Sequence, residues 1–240
     1  MPLTACVIVL AALSSRAVAQ APLTVAEKSN YRATSRHSDV IDFCERLAKL
    51  SPLVRLGELG TSFEGRKLPL LILSDPPVAT AEEASHSGKP ILFAMGDIHA
   101  GEVDGKEALL MLARDLATAS DRTLLKDFVI VFAPIFNADG NEKMSRTNRP
   151  GQVGPEEGMG VRVNGQGLDL NRDFIKLESP EVRALVRFLN RWDPAMLIDT
   201  HTTNGSYHRY TITYDGPRNA ADNTKLVELV RDSLLPDVGR

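Results

Sequence analysis

His99 and Glu102 stand three positions apart, just beyond the apolar run Ile91-Leu92-Phe93-Ala94-Met95. An imidazole and a carboxylate at that spacing, on the turn leaving a strand, can converge on one cation. They supply two ligands, whereas a catalytic zinc takes three from the protein and keeps one position open. A second apolar run, Met196-Leu197-Ile198, leads through Asp199-Thr200 to His201. In open α/β sheets ligands gather at the carboxyl ends of the strands. Two strands ending in His99 and His201 can therefore deliver both imidazoles to one edge of a sheet. With Glu102 they form a His2Glu set whose fourth position holds water. Zinc lowers the pKa of that water from about 15.7 to about 7, which supplies hydroxide near neutral pH. Alone, His201 would read as a histidine closing a strand; the His99-x-x-Glu102 pair makes it a candidate ligand.

The elements that must position these groups are legible from periodicity. Ser38 or Asp39 caps a helix that runs to Leu50, where Ser51-Pro52 ends it. Leu53–Leu59 alternates apolar and polar residues, and Leu68–Leu73 is more apolar; the turn 60–66 joins them as a hairpin. Asp75-Pro76-Pro77 through Gly88 reads as a polar, flexible connection. After the strand Ile91–Met95 and the His99/Glu102 turn comes a helix, Val103–Ala117, with Ala108, Leu109, Leu112, Ala113 and Leu116 on one face. Phe128–Ile135 is continuously apolar, as suits a strand covered on both faces. Phe136–Gly167 has no periodicity, and an irregular stretch that long in a compact domain tends to be functional. A helix Pro180–Arg191, strands Met196–Thr200 and Tyr207–Tyr214, and a helix Asn219–Leu235 complete the chain. Strands alternating with helices predict an α/β fold: a mixed, largely parallel central sheet flanked by helices, with an antiparallel hairpin at one edge. No linker interrupts it, so residues 20–240 are expected to form one domain.

At 240 residues, 43% hydrophobic and 25% charged, the composition is that of a globular protein. A net charge of −3 with no basic block gives no support to nucleic acid as a partner. The apolar run Cys6–Leu13 and the small-x-small pattern Ala17-Val18-Ala19 before Gln20 mark residues 1–19 as a signal peptide. Export to a secreted or periplasmic location follows, with no membrane association after cleavage. Cleavage would remove Cys6 and leave Cys44, so the mature chain has no intramolecular disulfide. Cys44 lies in an amphipathic helical pattern and reads as a buried thiol rather than a nucleophile.

Five fragments in order resemble the zinc carboxypeptidase family, the metallocarboxypeptidases related to carboxypeptidase A. They are Gly65-Arg66 with Leu68-Pro69-Leu70, His99-Ala100-Gly101-Glu102, Pro134-Ile135-Phe136-Asn137-Ala138-Asp139-Gly140, Asp169-Leu170-Asn171-Arg172, and His201-Thr202. The resemblance implies a zinc-peptidase-like α/β/α sandwich holding one Zn2+ per chain on His99, Glu102 and His201. It implies that Asn171 and Arg172 bind the terminal carboxylate of a peptide substrate, a task that suits the guanidinium fork. Asp169 would accept from the far nitrogen of His99 and fix its tautomer. The family also uses an arginine to stabilise the developing oxyanion; Arg146, Arg149 and Arg162 compete for that role, and Arg149 is the choice.

The family's general base is a glutamate on a strand well beyond the third zinc ligand. Past His201 this chain offers one expected strand and one helix, and Glu228 in that helix is a poor candidate for the base. The expectation is a copy missing its C-terminal part, with little or no peptidase activity, since a positioned base contributes on the order of 10²–10⁴ in rate. Two other functions fit the same residues. One is a zinc amidohydrolase of the aspartoacylase and succinylglutamate desuccinylase type, acting on small N-acyl amino acids. The other is a non-catalytic pseudo-peptidase that binds zinc or peptide termini. Residue preference at the substrate terminus and oligomeric state leave no mark in the sequence.

Overall fold

The alternation of short apolar runs with amphipathic ones resolves, in a computed structural model, into a five-stranded sheet between helices. The structure describes residues 20–216, 219 and 223–239. The expected signal peptide and Cys6 lie outside them. In chain order come α1 (Val25–Lys28), α2 (His37–Leu50), the strands β1 (Val54–Thr61) and β2 (Lys67–Leu73), and α3 (Ala81–His86). Next are β3 (Ile91–Met95), α4 (Asp104–Thr118), α5 (Thr123–Asp127), β4 (Val129–Ala133) and α6 (Ala138–Glu142). A 3-10 turn (Leu170–Arg172), α7 (Pro180–Trp192), β5 (Met196–Asp199), α8 (Thr224–Leu229) and α9 (Leu235–Val238) follow.

The strand order is β1-β2-β4-β3-β5. The hairpin pair β1/β2 and the pair β2/β4 are antiparallel, while β3 pairs in parallel with both β4 and β5. The expected mixed sheet with its hairpin at one edge is therefore what forms, and its four pairings divide evenly between the two senses. Strands β2 and β4 are buried along almost their whole length, which is why they read as continuous apolar runs. The edge strand β1 keeps its alternation.

From β3 the chain crosses through α4 to β4 on one side, then returns through α7 past β3 to β5 on the other. Parallel crossovers are right-handed, so this reversal places α4 and α7 on opposite faces of the sheet. α2 packs beside α4, and α3 beside α7. α2 buries Val40, Phe43, Cys44 and Leu47, the stripe expected of a helix with one face inward. Burial pushes the Cys44 thiol up to about 12, in keeping with a structural rather than nucleophilic cysteine. α7 starts with Ser179 Oγ accepting the Val182 N–H at 3.2 Å and with Pro180 in its first turn. It docks on β3 through Phe188, whose ring centroid lies 4.6 Å from Phe93 and 5.4 Å from Trp192.

Several expectations need correction. The helix α2 begins at His37, and Asp39 is not its cap but reaches back to the Arg36 N–H at 2.9 Å. The connection 75–88 contains α3, started by Thr80 Oγ1 accepting the Glu83 N–H at 3.1 Å. The irregular stretch 136–167 contains α6, capped by Asn137.

The backbone divides into two compact units after Thr202. In the second unit the expected strand Tyr207–Tyr214 does not form; Tyr207 and Ile212 stand in solvent and the segment has no regular structure. Alternating aromatic and β-branched residues favour a strand only where a neighbouring strand accepts its backbone groups, and none is present among the described residues of this unit. The expected helix Asn219–Leu235 starts instead at Thr224, with Asn223 Oδ1 accepting the Lys225 N–H at 3.0 Å. It passes through a π-helical turn, Val230–Leu234, into α9. No helix among the described residues is long and apolar enough to cross a membrane.

Candidate metal centre

Strands β3 and β5 run side by side with Met95 opposite Asp199. The Thr200 N–H and Oγ1–H both donate to Met95 O, at 3.1 and 2.9 Å, which ties the two strand ends together. Gly105, at the start of α4, makes this close approach possible: a Cβ there would lie 2.0 Å from Thr200 Oγ1. Beyond β3 the chain turns at Asp97, whose φ of 66° is left-handed. Asp97 is fully buried, and burial pushes its carboxyl well above the usual carboxylate range against the pull of Lys106. Its carbonyl accepts the Asn137 N–H at 3.1 Å, linking the exits of β3 and β4.

This turn brings together the three residues that the sequence singled out. One ligand atom from each of His99, Glu102 and His201 lies within 4.8 Å of the others. His99 and Glu102 are buried, while His201 keeps about a third of its side chain exposed, at 35%. Both imidazoles present Nδ1 to the Glu102 carboxylate: His99 at 3.1 Å from Oε1 and His201 at 2.8 Å from Oε2. Arg149 Nη2 donates to Oε1 at 2.7 Å and the Thr202 N–H to Oε2 at 3.1 Å. Burial opposes ionisation of Glu102, but the hydrogen bonds from His201, His99, Thr202 and Arg149 together outweigh it and hold the carboxyl far below its usual range.

Each imidazole is backed by a second carboxylate. His99 Nε2 lies 3.2 Å from Asp169 Oδ1, and His201 Nε2 lies 2.9 Å from Asp199 Oδ2. With a metal bound, a proton on each Nε2 would leave each Nδ1 lone pair facing the centre, the arrangement that fixes metal-ligating histidines elsewhere. Hydrogen bonds to Asp199 and then to Glu102 raise the His201 pKa to about 10. The same two carboxylates favour any cation at His201 Nδ1. The donor set of two imidazole nitrogens and one carboxylate, with carboxylates behind both rings, fits zinc.

Asp169 also starts the 3-10 turn, with Oδ1 accepting the Asn171 N–H at 3.0 Å and Oδ2 accepting from Arg162 Nε at 2.8 Å. Burial opposes its ionisation, yet Arg162 and His99 keep its pKa low. The turn sets Asn171 Nδ2 3.4 Å from His201 Nε2, the ring nitrogen on the side away from Glu102. Arg172 projects into solvent, its Nη1 donating to Asn171 O at 2.8 Å. Of the three competing arginines, Arg149 therefore reaches Glu102 and Arg162 reaches Asp169. Asp199 escaped the sequence reading, although it stands two positions before His201 on a strand, a spacing that returns side chains to one face.

Asp173, directly after the turn, anchors the start of α7. Its carboxylate accepts from the Ser179 N–H at 2.8 Å, Ser179 Oγ at 2.6 Å and the Glu178 N–H at 2.9 Å. Burial opposes ionisation, but these bonds keep its pKa below the usual range. Asp173→Ala is expected to lower unfolding stability by about 1–2 kcal/mol at neutral pH. Because the folded pKa is lowered, the contribution is complete above the ordinary value and is lost as pH falls through the folded one. Urea unfolding of the two proteins should therefore differ at pH 7 and converge only in strong acid.

A family model described as zinc carboxypeptidase matches residues 40–234. Carboxypeptidase D of Mus musculus is 33% identical over 164 residues, covering 58% of this chain and 12% of the relative. The carboxypeptidase N catalytic chain of Rattus norvegicus is 32% identical over 168 residues, covering 66% of this chain and 35% of the relative. The carboxypeptidase A structure from Helicoverpa armigera superposes with a TM-score of 0.56 at 22% identity, covering 70% of this chain and 46% of that one. The chain thus spans less than half the length of each of these three proteins.

Proposed function

The chain belongs to the zinc carboxypeptidase family, and we propose that it is a zinc-dependent metallocarboxypeptidase hydrolysing the C-terminal peptide bond of peptides. The observation that carries this reading is the convergence of His99, Glu102 and His201 within 4.8 Å. His99 and His201 would ligate through Nδ1, with Asp169 and Asp199 holding the proton on each Nε2. Bound zinc would supply Lewis-acid polarisation of the scissile carbonyl and hydroxide near neutral pH. Arg172 and Asn171 would receive the free C-terminal carboxylate, setting the last peptide bond of the substrate at the centre. The Arg149 guanidinium, beside Glu102, would face the carbonyl oxygen as negative charge develops on it. The apolar run Cys6–Leu13 and the Ala17-Val18-Ala19 pattern support a secreted or periplasmic protein whose catalytic domain follows residue 19.

The test is a ligand panel offered to the zinc-loaded chain, with binding and turnover both read. Zinc-dependent binding or trimming of peptides with a free C-terminal carboxylate, and none of the corresponding amides, supports the proposal. Activity confined to N-acyl amino acids would move the function to the aspartoacylase type. Zinc-dependent binding of peptide acids with no trimming would assign this chain the role of a non-catalytic binder.

A further inference from the structure

The sequence holds two Asn-Gly pairs, Asn164-Gly165 in the irregular stretch after α6 and Asn204-Gly205 just past His201. An asparagine followed by glycine can modify itself. The next main-chain nitrogen can reach the side-chain carbonyl carbon, and glycine has no Cβ to crowd the approach. The reacting atoms of the two pairs are the same, but the fold treats the pairs oppositely.

Asn164 is fully buried and its carboxamide is held from several sides. Its Oδ1 accepts the Gln166 N–H at 2.9 Å and the Leu168 N–H at 3.0 Å, while its Nδ2 donates to Glu181 Oε2 at 3.2 Å. Gly165 is packed as closely: a Cβ there would lie 2.7 Å from Asp139 Oδ2 and 2.9 Å from Glu64 Cγ. Turning the Asn164 carbonyl carbon onto the Gly165 nitrogen would break these bonds inside the protein, where water cannot replace them.

Asn204, Gly205 and Ser206 are all exposed, and residues 203–216 have no regular structure. Gly205 has a φ of 99°, a conformation open to glycine and costly for other residues. Its N–H donates to Thr203 Oγ1 at 3.2 Å, an exposed bond that water can take over. Solvent thus reaches both the attacking nitrogen and the amide under attack, and an exposed irregular segment changes its dihedrals at little cost.

We propose that Asn204-Gly205 is a self-modification site, at which Asn204 deamidates through a succinimide, whereas the fold holds Asn164-Gly165 inert. A solvent base takes the proton from the Gly205 nitrogen, which attacks Asn204 Cγ. The new N–Cγ bond closes the ring, the Cγ–Nδ2 bond breaks, and Nδ2 leaves as ammonia after taking up a proton. Water then opens the ring at one carbonyl or the other, giving aspartate or isoaspartate. Either product adds one negative charge three residues beyond His201, and isoaspartate also adds a carbon to the main chain there.

The experiment holds the full chain folded at neutral pH for days and follows both asparagines by peptide mass spectrometry. Deamidation is read as a gain of about 1 Da, with isoaspartyl peptides separated by chromatography. In the folded chain Asn204 should convert about 10-fold or more faster than Asn164, and in guanidinium chloride the two rates should come within about threefold. Gly205→Ala should slow conversion at Asn204 by about 10-fold or more, because a methyl group crowds the attacking nitrogen. Equal rates in the folded chain, a preference for Asn204 that persists in guanidinium chloride, or an unchanged rate in the Gly205→Ala protein would overturn the proposal.

Discussion

Replacing Glu102 by Gln is expected to weaken zinc binding by well over 100-fold, read by competition with a chromophoric chelator. Loss of a carboxylate that merely backs a ligating histidine already costs about 10–100-fold. Glu102 does more, because both imidazole Nδ1 atoms and Arg149 Nη2 face its two oxygens at 2.7 to 3.1 Å. The amide keeps the shape of the side chain but brings no charge, and its NH2 group meets donors where the carboxylate met them as an acceptor. The variant also leaves Arg149 beside an amide and removes one of the two carboxylates that hold His201 protonated. Breaking a buried ion pair from one side costs on the order of 3–5 kcal/mol, so stability falls as well. Thermal unfolding in the presence of chelator measures that loss apart from the metal. Unchanged metal content in a folded Glu102→Gln protein would refute the ligand assignment.

Arg172→Ala should weaken binding of a peptide with a free C-terminal carboxylate by about 30- to 1,000-fold, the usual cost of removing one partner of a close charged pair. The same peptide with a C-terminal amide should bind the wild-type protein weakly and the variant no worse. This is a clean substitution, since Arg172 is exposed and its hydrogen bond runs to the neighbouring Asn171 carbonyl. Arg172→Lys restores the charge without the planar fork and should recover only part of the affinity. Equal losses for acid and amide peptides would show that Arg172 does not read the terminus.

The strands that carry the centre were legible because each combines an apolar run with a chemical residue at its exit. Ile91–Met95 leads to His99 and Met196–Asp199 to His201, and the rule that ligands bind beyond the carboxyl ends of parallel strands joins them. Buried strands such as β2 and β4 were equally plain. The helix Ala81–His86 was not, because it buries only Ala81 and Ala84, and two small residues in one short helix make no periodic stripe. The Tyr207–Tyr214 segment shows the opposite failure: residues with high strand propensity remain irregular and exposed in the second unit.

Within the centre, spacing could not rank Arg146, Arg149 and Arg162, because the loop that sorts them has no regular period. The fold sends Arg149 across Gly101, a contact remote in sequence, and Arg162 to Asp169, seven positions on. Gln152 was unreadable for the same reason: its Nε2 donates to Gly101 O at 3.1 Å and to Thr202 Oγ1 at 3.0 Å, partners about fifty positions away on either side. Asp199, by contrast, was within reach of a simple alternation argument and was overlooked because it stands at the end of an apolar strand.

The central claim is that His99, Glu102 and His201 hold one zinc. X-ray absorption at the zinc edge, on the chain loaded with one equivalent of metal, tests it most directly. The account predicts one retained zinc per chain with two imidazole nitrogens at about 2.0–2.1 Å and oxygen ligands at about 2.0–2.2 Å. Retention of no zinc, a single imidazole in its shell, or sulfur at about 2.3 Å would contradict it.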